Sequence, residues 1–538
     1  MATVRCPQCG TEFEKGSVEF CPNPNCGYPV AFLDDAPEVP EPPRMERRPG
    51  EGSMQPPAPP LQAPPPPPRP PMNKRPLIIA AVAVAVVAIV VVAFLLLKGG
   101  GGEKKATKGS PTPPTKTSTG PKRSPNGPSP SPTPKPRPPK GIQLPWQTAP
   151  PQGDLRGVGD QQINALIGLK GGASGGAFVA GGSVIAEGEN DAAVWVSTDP
   201  DHQTWRIVTG QEDELGGPGD QQINGITQAG DTMVAVGSDG SDAGVWISPK
   251  SPASLSWRKV TASADALGGA GQQSMNRVTG TKGLGLIAVG FTTAPDGSQD
   301  AAVWRSSDGG ESWAIVPDPD GVFGGPGDQE IKRIQTIAGV TLSLVAAGFD
   351  TSPGGDRDAA VWTSTNGTDW TQVEAPDLGG DGDQAIDDLQ LFQQGNELVA
   401  VGVDTSGAGD ADGAVWTSPN GTEWTQVASD ALGGAGEQHI TRLVTPESFD
   451  ETGVPNLVAG GFEVNPGGDQ NAAIWYSQDG TRWTRERSSA DLLGGAGDQQ
   501  INSLSPAGSS LIAVGFDASG GQDRDAQVWT AVAKPPAG

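Results

Sequence analysis

Cysteine disappears from this chain after residue 26. All four, Cys6, Cys9, Cys21 and Cys26, lie at the start of 538 residues, so no disulfide can brace anything downstream. Histidine and tyrosine are nearly missing, at two residues each. His202 and His439 read as loop residues, and Tyr28 and Tyr476 are poorly placed as nucleophiles, which removes Ser-His and Cys-His triads from the candidate chemistry. Cations are scarce, 36 Lys and Arg against 62 Asp and Glu, and that acidity excludes nucleic acid as a partner. Hydrophobic residues make up only 35% and form a single long run, which excludes a multi-span membrane protein and a helical bundle. The length itself excludes one compact domain.

What is abundant is glycine (78) and proline (53), a composition of short strands and solvated linkers. The charge is divided: up to residue 141 the chain carries 18 basic and 10 acidic residues, and from 142 onward 18 basic and 52 acidic. Five segments follow. Residues 1–30 hold the cysteines. Residues 31–76 are a Pro-rich linker that cannot bury enough apolar surface to offset its ordering entropy. Residues 77–97, Leu77 to Leu97, are apolar throughout; at about 1.5 Å per residue they span roughly 32 Å, a bilayer core, and predict one transmembrane helix. Residues 98–141 are a Ser/Thr/Pro/Lys-rich stalk that, at about 3.1 Å per residue, reaches up to roughly 130 Å. Residues 142–538 are repetitive.

The repeat opens with one phrase seven times: LRGVGDQQIN from 155, LGGPGDQQIN from 215, LGGAGQQSMN from 267, FGGPGDQEIK from 323, LGGDGDQAID from 378, LGGAGEQHIT from 432 and LGGAGDQQIN from 493. Spacings near 55 residues indicate a solenoid or a propeller. Each unit offers four strands: an alternating one such as Ile223 to Thr227, an apolar one such as Leu398 to Val401, a third such as Ala359 to Trp362, and a fourth such as Trp370 to Val373. Asn366-Gly367, Asn420-Gly421 and Asp479-Gly480 predict two-residue hairpins between the third and fourth.

Tryptophan decides between open and closed. Thirteen of the fourteen fall on third or fourth strands, but the last unit ends at Gly538 without a fourth strand, and the remaining Trp146 precedes the first unit. A strand at Trp146 that completes the last sheet closes a ring and removes its exposed edges. The expected fold class is therefore all-β, a seven-bladed β-propeller preceded by a small cysteine-bearing module, a single transmembrane helix and disordered linkers.

Two resemblances add to this reading. The Cys6-Pro-Gln-Cys9 and Cys21-Pro-Asn-Pro-Asn-Cys26 pairs resemble the N-terminal zinc ribbons of bacterial membrane proteins, and the resemblance implies a structural zinc held by Cys6, Cys9, Cys21 and Cys26. Four residues rather than two separate the second pair. Ser306-Ser-Asp308-Gly-Gly310-Glu-Ser312-Trp313 resembles the Asp box of sialidase-like propellers, a folding feature of a hairpin without chemistry of its own. Units at Ser364, Ser418 and Ser477 are one residue shorter, and those at Ser197 and Ser248 lack the Asp-Gly core.

On one propeller face the phrases gather Asp160, Asp220, Asp328, Asp383, Glu437 and Asp498, the candidate ligand-binding residues. These carboxylates are either turn acceptors or an acidic funnel, with calcium a possible occupant. With no nucleophile in view, the chain is expected not to be an enzyme but to display a binding or sensing module toward an envelope glycan or protein; the alternative is a membrane-anchored sialidase-like glycan hydrolase. Lys98, Lys104 and Lys105 after the span favour a cytoplasmic propeller by charge. Exporting a thiolate site is harder, so the expectation is ribbon cytoplasmic, propeller extracytoplasmic, in a single-pass cell-membrane protein.

Overall fold

The structure, a computed structural model, describes residues 3–5 and 12–14 and most of residues 144–532. The chain divides into two units, residues 1–128 and 129–538. In the first, Thr3–Arg5 and Glu12–Glu14 pair antiparallel. The four cysteines, both linkers and the apolar run 77–97 lie outside the described residues. Among the described residues no helix is long and apolar enough to cross a membrane.

The second unit is a seven-bladed propeller of four-stranded antiparallel sheets. In blade four the strands are Gln329–Ile337, Ser343–Thr351, Arg357–Ser364 and Thr371–Gln372. The first strands of all blades touch their counterparts in an unbroken circle, so they are innermost and line the axis. Blade seven takes its first three strands from Gln499–Ala507, Ser510–Asp517 and Asp525–Val532, and its fourth from Trp146–Thr148. The register is Trp146 to Ala531, Gln147 to Thr530 and Thr148 to Trp529. The closing strand expected from the tryptophan count is present, so blade seven, like the others, ends in a short outer fourth strand and does not expose its long third strand.

Seven apolar cores lie between neighbouring blades. The one spanning the closure packs Ile163, Trp195 and Trp205 of blade one against Ile512, Val514 and Val528 of blade seven. Every third-strand tryptophan is buried, and each indole N–H donates to the carbonyl of the residue just before its own unit's phrase, from Asp154 to Leu492, at 2.7–3.1 Å. A large apolar ring with one polar atom thus fixes where each phrase begins.

Two local expectations differ from the structure. Fourth strands are short: only Thr371–Gln372 pairs in blade four, because Trp370 turns away to bury its ring between blades. The third-to-fourth connections are not two-residue hairpins. Residues 365–370 connect the strands in blade four, and positive φ falls on Gly367, Gly421 and Gly480 alone, not on the preceding Asn or Asp. Those side chains instead accept backbone N–H groups: Asn366 Oδ1 from Thr368 at 2.9 Å and Asp479 Oδ1 from Thr481 at 3.0 Å.

Candidate functional site: an acidic face and an axial cluster

The phrase folds the same way in each blade. The glycine directly before its acidic position (before Gln272 in the third unit) adopts positive φ, 81° to 88° from Gly159 to Gly497, which turns the following residue back over the sheet. Its glutamine is buried in all seven blades. The carboxylates between them are blade-to-blade staples. Asp160 Oδ1 accepts from the Arg524 N–H at 2.9 Å, Asp220 from Asn190 at 2.9 Å, Asp328 from Gln299 at 3.1 Å, Asp383 from Arg357 at 2.9 Å and Asp498 from Gln470 at 3.1 Å. In every case the donor lies at or within one residue of the start of the third strand of the preceding blade, and the Asp160 bond joins blade one to blade seven. Glu437 makes a bond within its own blade instead, its carbonyl accepting from Val464 N at 2.7 Å. Among the described residues no group of three or more acidic, His or Cys side chains is placed to hold a metal. A calcium ion at this face competes with these N–H donors for the same oxygens.

Outside this ring, three equivalent clefts open between successive blades four to seven, of about 700, 550 and 380 Å³. Asp350 and Asp358 line the first, Asp404 and Asp412 the second, Glu463 and Asn471 the third. Gln372 and Gln426 donate to Asp350 and Asp404 at 2.8 and 2.7 Å, and Arg485 pairs with Glu463 in the third. Burial raises the Asp358 carboxyl above its ordinary value, against the Gly380 N–H that lowers it.

The charged cluster that sequence reasoning missed lies on the axis. Each innermost strand carries a β-bulge at one position, as between Ile331 and Arg333 or Ile386 and Asp388. Bulges re-aim side chains, and here two consecutive residues per blade serve the axis. Facing each bulge is a glycine of the second strand. A Cβ there would lie 1.9 Å from Glu330 O at Gly348 and 1.8 Å from Gln222 O at Gly237, so only glycine admits the approach.

The first bulge residues link blade to blade. Asn164 Nδ2 donates to Ile223 O at 3.1 Å, Asn276 to Ile331 O at 3.0 Å, Thr441 Oγ1 to Ile501 O at 2.7 Å and Asn502 Nδ2 to Ile163 O at 3.0 Å, which closes the circle. In blades four to six the link is ionic: Asp387 lies 2.7 Å from Lys332 Nζ and 2.5 Å from His439 Nε2. Burial pushes the Asp387 carboxyl up, but Lys332 and His439 outweigh it and hold the carboxyl well below its usual range. His439 is therefore not a loop residue, as its sequence context implied; it sits in the innermost strand Gln438–Val444.

The second bulge residues are Ala165, Gly225, Arg277, Arg333, Asp388, Arg442 and Ser503. Asp388 is fully buried. It accepts the N–H groups of Leu389 and Leu443, both at 2.8 Å, and lies 2.8 Å from Arg333 Nε and 3.3 Å from Arg442 Nε. Arg277 donates Nη1 to Asn224 O at 3.1 Å. Burial and then the like charges of Arg442 and Arg333 pull the Arg277 guanidinium well below its ordinary value, and burial with Arg333 brings Arg442 to about 10.

With this geometry in view, no protein-family model matches the chain and no curated relative matches it. Solved structures resemble it. Sqt1 from Chaetomium thermophilum is 13% identical, with a TM-score of 0.38, over 66% of this chain and 80% of that one. A thermostable family-43 glycoside hydrolase is 11% identical, with a TM-score of 0.34, over 50% and 94%. The β-1,2-mannobiose phosphorylase from Listeria innocua is 11% identical, with a TM-score of 0.27, over 58% and 90%. The expectation that this chain is not an enzyme is corrected by these matches, because carbohydrate-active enzymes stand among them, and that exclusion is withdrawn. The chemical reason is plain: a pair of carboxylates cleaves a glycosidic bond without Cys or His, and the repeats carry 52 acidic residues.

Proposed function

We propose that the chain is a single-pass cell-membrane protein of bacterial type that holds its propeller outside the cytoplasm as a binding module for an envelope glycan or protein. The observation that carries this is the order of segments. The apolar run Leu77 to Leu97 is followed by a Pro- and Lys-rich stalk that leads directly into the closing strand at Trp146. A ring sealed at the point where its tether enters holds its shape at the end of a long, solvated arm. The domain boundaries are those of the sequence: ribbon 1–30, linker 31–76, span 77–97, stalk 98–141, propeller 142–538.

The cytoplasmic end is a zinc ribbon. The pairing of Thr3–Arg5 with Glu12–Glu14 brackets Cys6 and Cys9 in one hairpin connection, which is what a zinc knuckle requires and supports a tetrahedral site completed by Cys21 and Cys26. When bound, the metal supplies folding energy to a segment too small for a core. The connection at Ser306 to Trp313 carries the hydrogen bonds of an Asp-box hairpin: Gly310 N donates to Ser306 Oγ at 2.9 Å and Ser312 N to Asp308 Oδ1 at 3.0 Å. That supports the sialidase-like style of the repeat.

Protease shaving of intact cells tests the reading. It predicts release of a propeller fragment that then binds envelope glycan or protein saturably. Protection of the fragment until lysis contradicts the topology. The same glycan incubation, followed for released sugar, distinguishes retention from turnover.

A further inference from the structure

Blades four, five and six build the same cleft with different side chains, so the repeat serves as its own control. In blades four and five the register sets Asp350 opposite Asp358 and Asp404 opposite Asp412, and the fourth strands add Gln372 and Gln426, each paired with its third-strand tryptophan. In blade six the corresponding residues are Glu463 opposite Asn471, with Arg485 in place of the glutamine. One residue further on, Glu486 stands where five other blades have a valine, from Val208 to Val427, every backbone N–H bonded to the third strand at 2.8 Å. A backbone that accepts Asp, Asp, Gln and Val twice over does not need Glu, Asn, Arg and Glu. The fold explains one part of this exchange, the oxygen that Glu486 gives to the Tyr476 hydroxyl. A repeat that breaks its own pattern at several positions of one concave site marks a place held for something other than folding.

The exchanges turn a wall of acceptors into a wall of donors and acceptors. Asp358 and Asp412 each accept one backbone N–H at 3.3 Å, from Gly380 and Gly434, and Asn471 Oδ1 keeps that bond, accepting from Gly495 at 3.2 Å. What Asn471 adds is Nδ2, a donor with no protein partner among the described residues. Asn465 lines the same cleft, with Oδ1 accepting from Gly467 and Asp469 at 2.8 and 3.2 Å and Nδ2 likewise unengaged. Arg485 is held by Glu463 and by the Trp475 ring, 5.4 Å from its guanidinium carbon. In the two neighbouring clefts the glutamine that stands for it is bound to Asp350 or Asp404. Glu463 and Asp491 supply acceptors on the same lining. The cleft holds about 380 Å³, within the range of small-ligand sites.

We propose that the cleft between blades six and seven binds one uncharged sugar residue, with Asn465, Asn471 and Arg485 donating to its oxygens and Glu463 and Asp491 accepting from its hydroxyls. A hydroxyl both gives and takes a hydrogen bond, and a wall carrying both kinds of group satisfies it. Three carboxylates on the lining, Glu463, Glu486 and Asp491, against one guanidinium disfavour an acidic sugar, and the exchange of Asp for Asn471 and of Gln for Arg485 disfavours a cation. This rests on the reading of the propeller as a binding module and names its ligand as a glycan.

The test is calorimetric titration of the full chain in detergent with N,N′-diacetylchitobiose and with cellobiose, and with glucuronate as the acidic control. Saturable binding of at least one disaccharide, and none of glucuronate, is expected. Asn471→Asp with Arg485→Gln gives the cleft the side chains of blades four and five, which the same backbone already carries, and is expected to weaken binding roughly tenfold or more with little change in melting temperature. Ala490→Trp, at an exposed residue of the lining, fills the cleft and is expected to abolish binding, a readout that survives if the double variant fails to fold. Failure of both disaccharides to bind, tighter binding of glucuronate, or undiminished binding in Ala490→Trp overturns the proposal. A shaved propeller fragment of Ala490→Trp that still retains envelope glycan overturns the cleft and leaves the binding module standing, whereas a wild-type fragment that retains nothing overturns the module itself.

Discussion

Asp388 shows how far a single residue's role here depends on its neighbours rather than on its own unit. The repeat places some side chain at that position in every blade, but only in blade five is it acidic, flanked on both sides by arginines. Replacing one partner of such a buried arrangement leaves the others uncompensated. Asp388→Asn is expected to cost about 3–5 kcal/mol in chemical denaturation, far more than the same change at the exposed rim residue Asp383. Tyr476 is a second case. Its hydroxyl accepts from the Trp146 indole at 2.7 Å and donates to Glu486 at 3.0 Å, and burial with Glu486 pushes the phenol far above its ordinary value. It clasps the closing strand to blade six. Tyr476→Phe is expected to cost about 1–3 kcal/mol, the penalty for stranding buried polar partners, and the denaturation midpoint measures it.

At this scale the sequence was legible where a residue type recurs. The acidic phrase residues are visible at once, and their placement at one mouth of the ring follows from strand direction; that they grip the neighbouring blade does not. The arginine cluster was hidden because it depends on a bulge, which no residue pattern announced. One signal was available in hindsight: the position just after the phrase reads Ala, Gly, Arg, Arg, Asp, Arg, Ser, charged in four units where the phrase itself is nearly constant.

The elements are four-stranded sheets whose shape is set by glycine. Because the second-strand glycine sits against a carbonyl of the first strand in every blade, Gly348→Ala must open the bulge opposite it. A destabilisation of about 1–3 kcal/mol is expected from the overpacking, larger than that of Gly280→Ala, whose added Cβ meets only ordinary contacts from 3.6 Å outward, and the denaturation midpoint measures both. The hairpin connections carry a pH dependence. Burial raises the carboxyls of Asp308 and Asp479, but hydrogen bonds outweigh it and bring both to about 2 from an ordinary 3.8. The donors are Ser312 and Ser306 for Asp308, and Arg482 and Thr481 for Asp479. A carboxyl lowered on folding stabilises above its unfolded value and loses that contribution as pH falls from about 4 to about 2. Asp308→Asn with Asp479→Asn is expected to flatten melting temperature against pH in that window. Because Asp308 is exposed, the change is small. Strand order and count were legible from hydrophobic alternation. Fourth-strand length and turn type were not, since burying a tryptophan overrides local hairpin chemistry.

For the whole molecule, the missing strand at the C-terminal end and the surplus tryptophan ahead of the first unit were sufficient to anticipate the ring. Geometry leaves one solution when every sheet needs a fourth strand and every edge needs a partner. The central claim is that Trp146 to Thr148 completes the blade formed by the chain's last three strands. It is tested most directly by the double variant Gln147→Cys with Thr530→Cys, residues that face each other in register, at a separation that antiparallel pairing brings within disulfide reach. Mild oxidation followed by peptide mass mapping is predicted to find this bond within single chains, with a raised melting temperature. A bond that fails to form, or forms only between two chains, contradicts the closed ring.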